Sequence, residues 1–446
     1  MMAGLLFAYN FLMIVAFWLL WPILIPLLMR RKRQGRVFSQ RLFMKSIPGA
    51  DVRDSDRSVG QSIWVHALSV GEVLSAEPLV KAMARRYGAN NLVFTTSTRT
   101  GFQTAERVIA AHVSALRYFP YDTLFSVKRA LAIVRPRLVV IVETDIWPNF
   151  LYALKKRHIP VQLVNARLSA RSFNGYRRLG FMMKPLLSVF NTIGVQSDID
   201  RLRFRQLGVP DSKLAMAGNM KFDQAASVLS DDERQQFSDS LKIAGRHIWV
   251  AGSTHEGEEA LLCQAFRNVC GVGIDLFLVI APRDPQRAAQ VCGIFQRAGI
   301  AAAAYGEIEQ RTASTPVVVI DRIGMLRKLY ALADVAFVGG SLVKAGGHNP
   351  LEPASAVKAI LFGPHTEDFS WICRTLENEG GAIRVFNSEQ LAERICALID
   401  NEEMRLEIGR RAYGIFCNHR GAVDRIMAIL ANAVENEDHG RTENHR

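Results

Sequence analysis

Residues 137–149 read RLVVIVETDIWPN, a near-continuous apolar run that ends in two acidic side chains and is soon followed by a proline. An apolar run of this kind indicates a strand that is buried on both faces, as in a parallel sheet covered by helices. Glu143 and Asp145 are costly to bury, so they should be paired or lie where ligands bind, at the carboxyl edge of the sheet. Asp145 also suits the cap of a helix that Pro148 opens, an interpretation that fits Glu143 less well.

Similar apolar runs alternate with helical patterns along most of the chain, and a polar, acidic stretch at 230–238 (SDDERQQFS) separates two series of them. We therefore predict an α/β fold with two Rossmann-like domains that face each other across a cleft. The predicted strands are 63–68, 92–98, 115–121, 137–144, 161–166 and 192–197 in the first domain, and 247–253, 276–282, 316–321, 335–340, 359–363 and 382–386 in the second.

The beginning of the sequence predicts a membrane anchor. Residues 3–29 carry no charge, and Asn10 is their only strongly polar side chain. About 20 apolar residues span a bilayer as a helix, and the RRKR that follows favours the cytoplasmic side for the rest of the chain. A cleaved signal peptide is disfavoured because no small-x-small cleavage site is present. The alternative is a helix in the membrane plane, which would usually show a strong polar face.

The formal net charge of +13 is divided unevenly along the 446 residues. Residues 1–46 carry +7, residues 47–224 carry +12, and residues 225–446 carry −6. A high positive charge is typical of nucleic-acid-binding proteins, but no strand interleaves aromatic and basic residues as RNA-binding domains do. The basic half suits contact with an anionic membrane surface instead. We expect no nucleic acid partner.

Cysteine usage and glycine patterns exclude several other classes of protein. The sequence contains no CxxC pair and no Cys/His cluster at zinc spacing, so we predict buried thiols in a reducing compartment and no metal site. No GxGxxG follows the first strand of either domain, which disfavours a dinucleotide-dependent redox enzyme. The six cysteines are Cys263, Cys270, Cys292, Cys373, Cys396 and Cys417.

Two charged residues of the first half are candidates for catalysis. Strand 63–68 runs into SVGE (69–72), which would project Glu72 from the carboxyl edge of the sheet at the start of a helix. A partly desolvated carboxylate there could act as a general base, whereas the alternative is an acidic residue stabilised by the helix dipole. Lys221, in GNMKFD (218–223), is either half of a solvated pair with Asp223 or a contact for an anionic substrate at the domain junction.

Three segments of the second half suit a phosphate ligand. STHEGEE (253–259) places hydroxyls at a strand-to-helix turn, where they are phosphate ligands or helix caps. Arg283 follows strand 276–282 and can clamp a phosphate or carboxylate. In GGSLVKAGGHNPLEP (339–353) four glycines let backbone amides approach a ligand, and Asn349-Pro350 begins a helix whose first turn offers Glu352 to ribose hydroxyls. The alternative is a glycine-rich loop without a ligand.

Taken together, these motifs resemble the bacterial 3-deoxy-D-manno-oct-2-ulosonic acid (Kdo) transferases of lipopolysaccharide synthesis. The resemblance runs from the anchor to about residue 370. It is carried by SVGE (69–72), YFPYD (118–122), ETDIWPN (143–149), NARLSARS (165–172), GNMKFD (218–223), STHEGEE (253–259), APRDP (281–285), GGHNPLEPAS (346–355) and GPHTEDF (363–369).

The resemblance implies a GT-B fold and an inverting glycosyltransferase that moves Kdo from CMP-Kdo to the lipid A precursor, lipid IVA, at the cytoplasmic face of the inner membrane. Glu72 would be the proton acceptor, and Glu143 and Lys221 would stabilise the transition state. No cofactor, metal ion or obligate protein partner is implied. The family commonly has Glu at the position of Met325, so a side-chain contact there would be lost. The implied CMP contacts are Pro282, Arg283, Ile323, Gly324, Met325, Asn349, Pro350, Leu351 and Glu352.

We predict the following organisation from these patterns and the resemblance. An anchor (1–29) and a basic linker (30–60) precede an acceptor domain (61–228), a nucleotide-sugar domain (229–435) whose final helices pack back, and a frayed tail (436–446). Two other functions stay open. One is a membrane-anchored GT-B transferase that uses a UDP-sugar, and the other is a non-catalytic membrane-tethered protein that binds anionic lipid, for which Glu72→Ala would be harmless.

Overall fold

Seven parallel strands form the sheet at the centre of each of two units of the chain. One unit contains Met1–Gln224 and Arg420–Arg446, and the other contains Ala225–His419. The final helix, Ala422–Glu443, therefore belongs to the first unit, whereas the sequence-based division ended the second domain at residue 435. The structure is a computed structural model, and it describes residues 4, 6–13, 15, 19, 32–44, 62–223, 229–241, 243, 245–310 and 315–443.

In the first unit the strand order is β3-β2-β1-β4-β5-β6-β7, and every neighbouring pair is parallel. The order reverses at β1, and such a point is where ligands bind in open α/β sheets. The strands are β1 (Ser62–His66), β2 (Leu92–Thr96), β3 (Ala115–Tyr118), β4 (Pro136–Val142), β5 (Val161–Ala166), β6 (Thr192–Val195) and β7 (Leu214–Met216).

The second unit repeats this plan with the order β10-β11-β9-β8-β12-β13-β14, again entirely parallel. Its strands are β8 (His247–Thr254), β9 (Leu276–Pro282), β10 (Ala302–Ala304), β11 (Val317–Val319), β12 (Val335–Val338), β13 (Ala359–Phe362) and β14 (Ala382–Arg384).

Helices connect the strands in both units. In the first unit they are Lys32–Phe43, Val70–Tyr87, Arg99–Val108, Leu124–Val134, Pro148–Lys156, Ala170–Arg178, Gly180–Leu187, Asp198–Gln206 and Ala422–Glu443. In the second they are Asp231–Ser240, Glu258–Gly271, Ala288–Arg297, Leu326–Leu332, Leu351–Ser355, Ser370–Asn378, Ser388–Asp400 and Glu402–Asn418.

Strand β4 shows why the apolar runs are continuous. Val139 and Ile141 pack into one hydrophobic core, while Leu138, Val140 and Val142 pack into a second core. Successive side chains of a strand point to opposite faces, so a strand covered on both faces must be apolar at every position. The final helix, Ala422–Glu443, contributes Ile426 and Leu430, among others, to the second of these cores.

The predicted α/β class with two Rossmann-like parallel sheets is confirmed, and each of the twelve predicted strands is present. Two strands were not predicted, Leu214–Met216 and Ala302–Ala304. Each has three residues without a β-branched or aromatic side chain and lies at an outer edge of its sheet, so it leaves no pattern of alternation in the sequence. The thiol prediction is wrong for Cys270, which is exposed, while Cys263, Cys292 and Cys373 are buried and all six cysteines are free.

Both ends of the chain are described only in part. Most of the predicted anchor (1–29) and much of the predicted linker (30–60) lie outside the described residues, although residues 6–13 and Lys32–Phe43 are helical. Within the part that is described, no helix combines the length and the apolar character needed to cross a membrane. The backbone of the predicted frayed tail continues the last helix as far as Glu443.

A carboxylate of the predicted GNMKFD motif attaches the last helix to the first unit. Asp223 accepts the N–H groups of Gly421 and Val423, each at 2.6 Å, at the start of the helix Ala422–Glu443. Arg425 of the same helix donates to the carbonyl of Ala217 at 2.8 Å. A carboxylate at a helix N-terminus pairs with otherwise unsatisfied donors and with the helix dipole. The motif therefore has a structural function at Asp223.

We expect Asp223→Ala to lower the free energy of unfolding by about 2 kcal/mol, because two charge-assisted hydrogen bonds and a helix cap are lost. Urea unfolding of the full chain in detergent, followed by circular dichroism, measures the change. Asp223→Asn is the matched control: it keeps one acceptor oxygen and should lose about half as much. Unchanged stability of Asp223→Ala would contradict the capping function.

Candidate active site

Glu72 lies in the first turn of helix Val70–Tyr87, shortly after β1. Its carboxylate accepts the N–H of Leu68 at 2.5 Å and the hydroxyl of Ser69 at 3.4 Å. Burial, reinforced by the negative charge of Glu143, raises the pKa of Glu72 to about 8, while the hydrogen bond from Leu68 acts in the opposite direction. Its deprotonated form is therefore a stronger base than an ordinary carboxylate.

Val142 of β4 lies opposite Val164 of β5, and Glu143 and Asn165 are the next residues along these two strands. The N–H of Glu143 donates to the carbonyl of Val164 at 2.9 Å. Both residues have left-handed backbones, with φ of 60° at Glu143 and 54° at Asn165. Such conformations are uncommon for residues with a side chain, and they concentrate at functional sites where the surroundings impose them.

Asn165 also holds the turn that carries Lys221. Its Oδ1 accepts the N–H of Met220 at 3.1 Å, and Asn219 Oδ1 accepts the N–H of Lys221 at 3.0 Å. The turn Met220–Asp223 is thereby attached to the carboxyl end of β5, next to Glu143. The Nδ2 of Asn165 is buried and has no hydrogen-bond partner among the described residues. The side-chain oxygen of Asn165 therefore attaches the turn that contains Lys221 to the strand beside Glu143.

A buried histidine near this edge was not singled out in the sequence. His66 Nε2 lies 2.9 Å from Asp145 Oδ2, and His66 Nδ1 lies 3.0 Å from both the carbonyl and the hydroxyl of Thr95. Its ring stacks on Phe119 with centroids 3.9 Å apart. Asp145 is therefore paired, as its cost of burial requires. The sequence IWVHAL shows only that His66 lies on a strand, because its partner is 79 positions away.

The interpretation of Asp145 as a helix cap is wrong. The residue at the cap position of helix Pro148–Lys156 is Trp147, and its side chain makes no capping hydrogen bond. Asp122 supplies the cap instead, because its carboxylate accepts the N–H groups of Asn149 at 3.0 Å and Phe150 at 2.9 Å. A distant residue thus takes the position that local spacing assigned to Asp145.

In the second unit, the amides of the glycine-rich loop are occupied by a carboxylate of the chain itself. Glu258, which is fully buried, accepts the N–H groups of Gly340 at 2.7 Å, Ser341 at 3.0 Å and Leu342 at 2.9 Å. It also accepts the N–H of His255 at 3.2 Å. The expectation that backbone amides of this loop approach a ligand is therefore wrong for these three N–H groups. An internal anion fills that position.

Two imidazoles meet above this loop. His255 Nε2 and His348 Nε2 lie 2.8 Å apart, so one ring donates a hydrogen bond to the other. Gly340, with φ of 67°, lies beneath them, and a Cβ there would come within 3.0 Å of His348. Burial lowers the pKa of His348 to about 4, and the charge of Arg283 acts in the same direction. His348 is therefore neutral at neutral pH, and burial lowers the pKa of His255 in the same direction.

Arg283 and Glu352 lie close enough to influence each other. Arg283 follows β9, its side chain is exposed, and its N–H donates to the carbonyl of Thr254 at 3.0 Å. Burial raises the pKa of Glu352, whereas the charges of Arg327 and Arg283 lower it. An exposed guanidinium beside imidazoles and a carboxyl group can bind a phosphate while the carboxyl group accepts hydrogen bonds from sugar hydroxyls.

The other predicted nucleotide contacts differ in how far their side chains are exposed to solvent. Ile323 is 72% exposed, and Gly324 has φ of 96°, in the loop before helix Leu326–Leu332. Met325 occupies the cap position of that helix and packs partly into the core. Pro282, at the end of β9, and Leu351 are buried, so they can offer mainly their backbone atoms to a ligand. Leu351 begins a five-residue helix in which Pro350 occupies the cap position. Asn349 Oδ1 accepts the N–H of Leu351 at 3.2 Å.

The structure thus brings the predicted residues together in two groups, one in each unit. Glu72, Glu143 and Lys221 belong to the first unit, and the predicted nucleotide contacts belong to the second, where the charge of Arg283 acts on Glu352. Among the described residues, no three His, Cys, Asp or Glu side chains are placed to hold a metal ion. Sequence reasoning did not identify the His255–His348 pair, although both histidines lie in quoted motifs, because only their proximity distinguishes them.

Comparisons with known proteins identify relatives of this chain. A family model described as 3-Deoxy-D-manno-octulosonic-acid transferase (kdotransferase) matches residues 29–224. The 3-deoxy-D-manno-octulosonic acid transferase of Haemophilus influenzae is 35% identical over 381 residues, which cover 84% of this chain and 88% of the relative. That of Bordetella pertussis is 30% identical over 380 residues, covering 82% and 86%. A solved glycosyltransferase from Rickettsia africae shares the fold with a TM-score of 0.56 at 10% identity, covering 84% of this chain and 99% of its own.

We expect Glu258→Ala to destabilise the second unit by about 4 kcal/mol, because four buried N–H groups lose their acceptor. Urea unfolding measures the loss, and hydrogen exchange should become faster at Gly340, Ser341 and Leu342. The matched control is Glu256→Gln, two residues away and exposed, which should change stability by less than about 0.5 kcal/mol. Equal stability of the two variants would contradict this function of Glu258.

Proposed function

Because this chain belongs to the family of 3-deoxy-D-manno-octulosonic acid (Kdo) transferases, which are glycosyltransferases of lipopolysaccharide synthesis, we propose that it transfers Kdo from CMP-Kdo to lipid IVA. The observation that carries the proposal beyond family membership is the raised pKa of Glu72 beside Glu143. An alcohol acceptor needs a base of this strength at the moment of transfer.

The proposed reaction is a single displacement. The acceptor hydroxyl oxygen bonds to the anomeric carbon of Kdo while the bond to the CMP phosphate breaks, and CMP leaves with that electron pair. Glu72 takes the proton of the attacking hydroxyl. Glu143 stabilises positive charge on the sugar ring, and Lys221 interacts with the Kdo carboxylate or the leaving phosphate. One displacement at the anomeric carbon inverts its configuration.

We assign the donor CMP-Kdo to the second unit. The exposed side chain of Arg283 supports binding of the phosphate, and Glu352 supports binding of ribose hydroxyls. The proposal includes no cofactor or metal ion, since basic side chains supply the charge for the leaving group. The remaining assigned contacts are Pro282, Ile323, Gly324, Met325, Asn349, Pro350 and Leu351, of which Pro282, Met325 and Leu351 would contribute backbone atoms.

The proposed location is the cytoplasmic face of the inner membrane, with residues 3–29 as the anchor. The uncharged segment and the RRKR that follows support it. In the described part of this segment, Phe7, Phe11 and Leu12 are 76%, 58% and 66% exposed, as expected for side chains that contact lipid. The positive charge of the first half would lie against anionic lipids.

The pH dependence of transfer tests the base. Because the deprotonated form of Glu72 is the active one, kcat/KM should rise with pH and level off above about pH 8. Glu143→Gln removes a negative charge that raises the pKa of Glu72, so the midpoint of the profile should move to lower pH. Glu77→Gln, on the same helix but paired with Lys81, is the control and should leave the midpoint unchanged. A profile that is flat between pH 6 and 9 would refute the assignment.

The substrates are tested by incubating purified protein with lipid IVA and either CMP-Kdo or a series of UDP-sugars. We expect a product with CMP-Kdo as the donor and none with the UDP-sugars. Glu72→Gln should lower the rate about a thousandfold while CMP still binds, because general base catalysis is lost and the donor site is intact. A product from UDP-sugars only would overturn the donor assignment. A fully active Glu72→Gln variant would overturn the mechanism.

A further inference from the structure

The single strongly polar residue of the uncharged segment 3–29 has a partner in the globular part of the first unit. Asn10 Nδ2 donates to Asn149 Oδ1 at 2.8 Å, and Asn149 Nδ2 donates to Asn10 Oδ1 at 2.9 Å. The two side-chain amides therefore form a reciprocal pair. An amide without a partner is costly in a lipid environment, so a polar residue in such a segment indicates a specific contact.

The neighbouring tyrosine makes a second contact. Tyr9 donates its hydroxyl hydrogen to Asp122 Oδ2 at 3.1 Å. Asp122 is the carboxylate that caps helix Pro148–Lys156, and its carbonyl accepts from Asn149 Nδ2 at 2.6 Å. Burial raises the pKa of Asp122 to about 6, whereas the N–H groups of Asn149 and Phe150 and the Tyr9 hydroxyl lower it. At neutral pH the carboxylate is therefore mainly ionised and is a strong acceptor.

The receiving residues belong to two of the quoted motifs, YFPYD (118–122) and ETDIWPN (143–149), and the second of these contains Glu143. Asp122 and Asn149 are buried, and Asn149 lies in the first turn of the helix that follows Glu143 and Asp145. Contact with the N-terminal segment is thus made six residues beyond Glu143. Any shift of this segment relative to the helix would act close to the proposed site.

The two sides of the N-terminal helix differ in what they contact. Leu6, Tyr9 and Asn10 have the spacing of one helical face; Leu6 is buried, and the other two make the hydrogen bonds described above. Phe7 and Phe11 have the spacing of another face, and both are exposed. The helix therefore has a polar docking side toward the first unit and an apolar side away from it.

The globular part also exposes apolar side chains close in sequence to Asp122, which binds Tyr9. Leu124 and Phe125, which begin the helix after Asp122, are 60% and 56% exposed. A lipid surface suits these two side chains because the adjacent segment is uncharged and is followed by RRKR. The docked helix and Leu124–Phe125 would enter the same bilayer interface.

We propose that Tyr9 and Asn10 form a positioning clamp that locks the membrane segment onto Asp122 and Asn149, so that the bilayer holds the acceptor site at one depth and orientation. The inference rests on the proposed membrane location and lipid acceptor. A segment joined only by a linker would tether the unit without orienting it. Tyr9 and Asn10 are positioning residues, since neither contacts a reacting group.

The test compares one acceptor in two environments. Lipid IVA is presented either in anionic phospholipid vesicles or dispersed in detergent micelles, and kcat/KM is measured for the full chain. Asn10→Leu should lower kcat/KM about tenfold on vesicles and by less than about twofold in micelles, where orientation to a bilayer no longer matters. Sedimentation with acceptor-free vesicles should be unchanged, because the segment stays apolar.

Phe11→Leu is the matched control, because it changes an apolar, exposed position of the same helix and should leave both rates unaltered. Tyr9→Phe removes one oxygen atom and should act in the same direction as Asn10→Leu but more weakly, which guards against misfolding of the larger change. In a double-mutant cycle, Asn10→Leu and Asn149→Leu should be less than additive on vesicles, since both remove the same amide pair.

Equal losses in vesicles and micelles for both Asn10→Leu and Tyr9→Phe would overturn the clamp, because the residues would then act on the fold. Wild-type rates in both environments would overturn it as well, while leaving the proposed transferase function intact. If the wild-type chain does not sediment with vesicles, the proposed membrane location fails together with the clamp. Transfer in micelles would still report on the proposed reaction in that case.

Discussion

Burial of both faces of each parallel sheet constrains everything else in this chain. Because Val139, Ile141 and their neighbours alternate between two cores, the strands consist mainly of apolar side chains, and the candidate catalytic groups lie where the strands end. Glu143 follows directly after β4, Arg283 after β9, and Glu72 in the first turn of the helix after β1. The chemistry is therefore gathered at strand ends by the same rule that forms the core.

A second theme is the use of carboxylates as ligands for the backbone. Glu258 binds four N–H groups of two loops, Asp122 binds two at the start of a helix, and Asp223 binds two at the start of the last helix. Each bond satisfies donors that would otherwise be buried without a partner. Glu72 accepts one N–H only, and its pKa is raised to about 8. Burial raises the pKa of Asp122 and Glu258 as well, but Glu72 has fewer backbone donors than either, and its pKa of about 8 exceeds the value of about 6 at Asp122, as suits a base.

The sequence allowed the strands and the two-domain organisation to be predicted because those depend on local patterns of apolar residues. Glu143 and Arg283 were identified for the same reason, since their position after an apolar run is visible in the sequence. The pairs His66–Asp145 and His255–His348, and the cap provided by Asp122, join residues 79, 93 and 27 positions apart. Local sequence spacing cannot predict contacts between residues so far apart in the chain. Asn10 was visible as an exception in an apolar segment, but its partner was not.

The carboxylate of Glu258 affects how a nucleotide would bind near the loop that contains Gly340, Ser341 and Leu342. In many phosphate-binding loops the ligand itself supplies the negative charge that gathers the backbone amides. Here Gly340, Ser341 and Leu342 are already gathered by a fully buried side chain. The empty and the occupied loop can therefore share one shape, and little conformational entropy would be lost on association. Such a preorganised cradle favours rapid release of product as much as capture of donor, because neither event has to fold or unfold it.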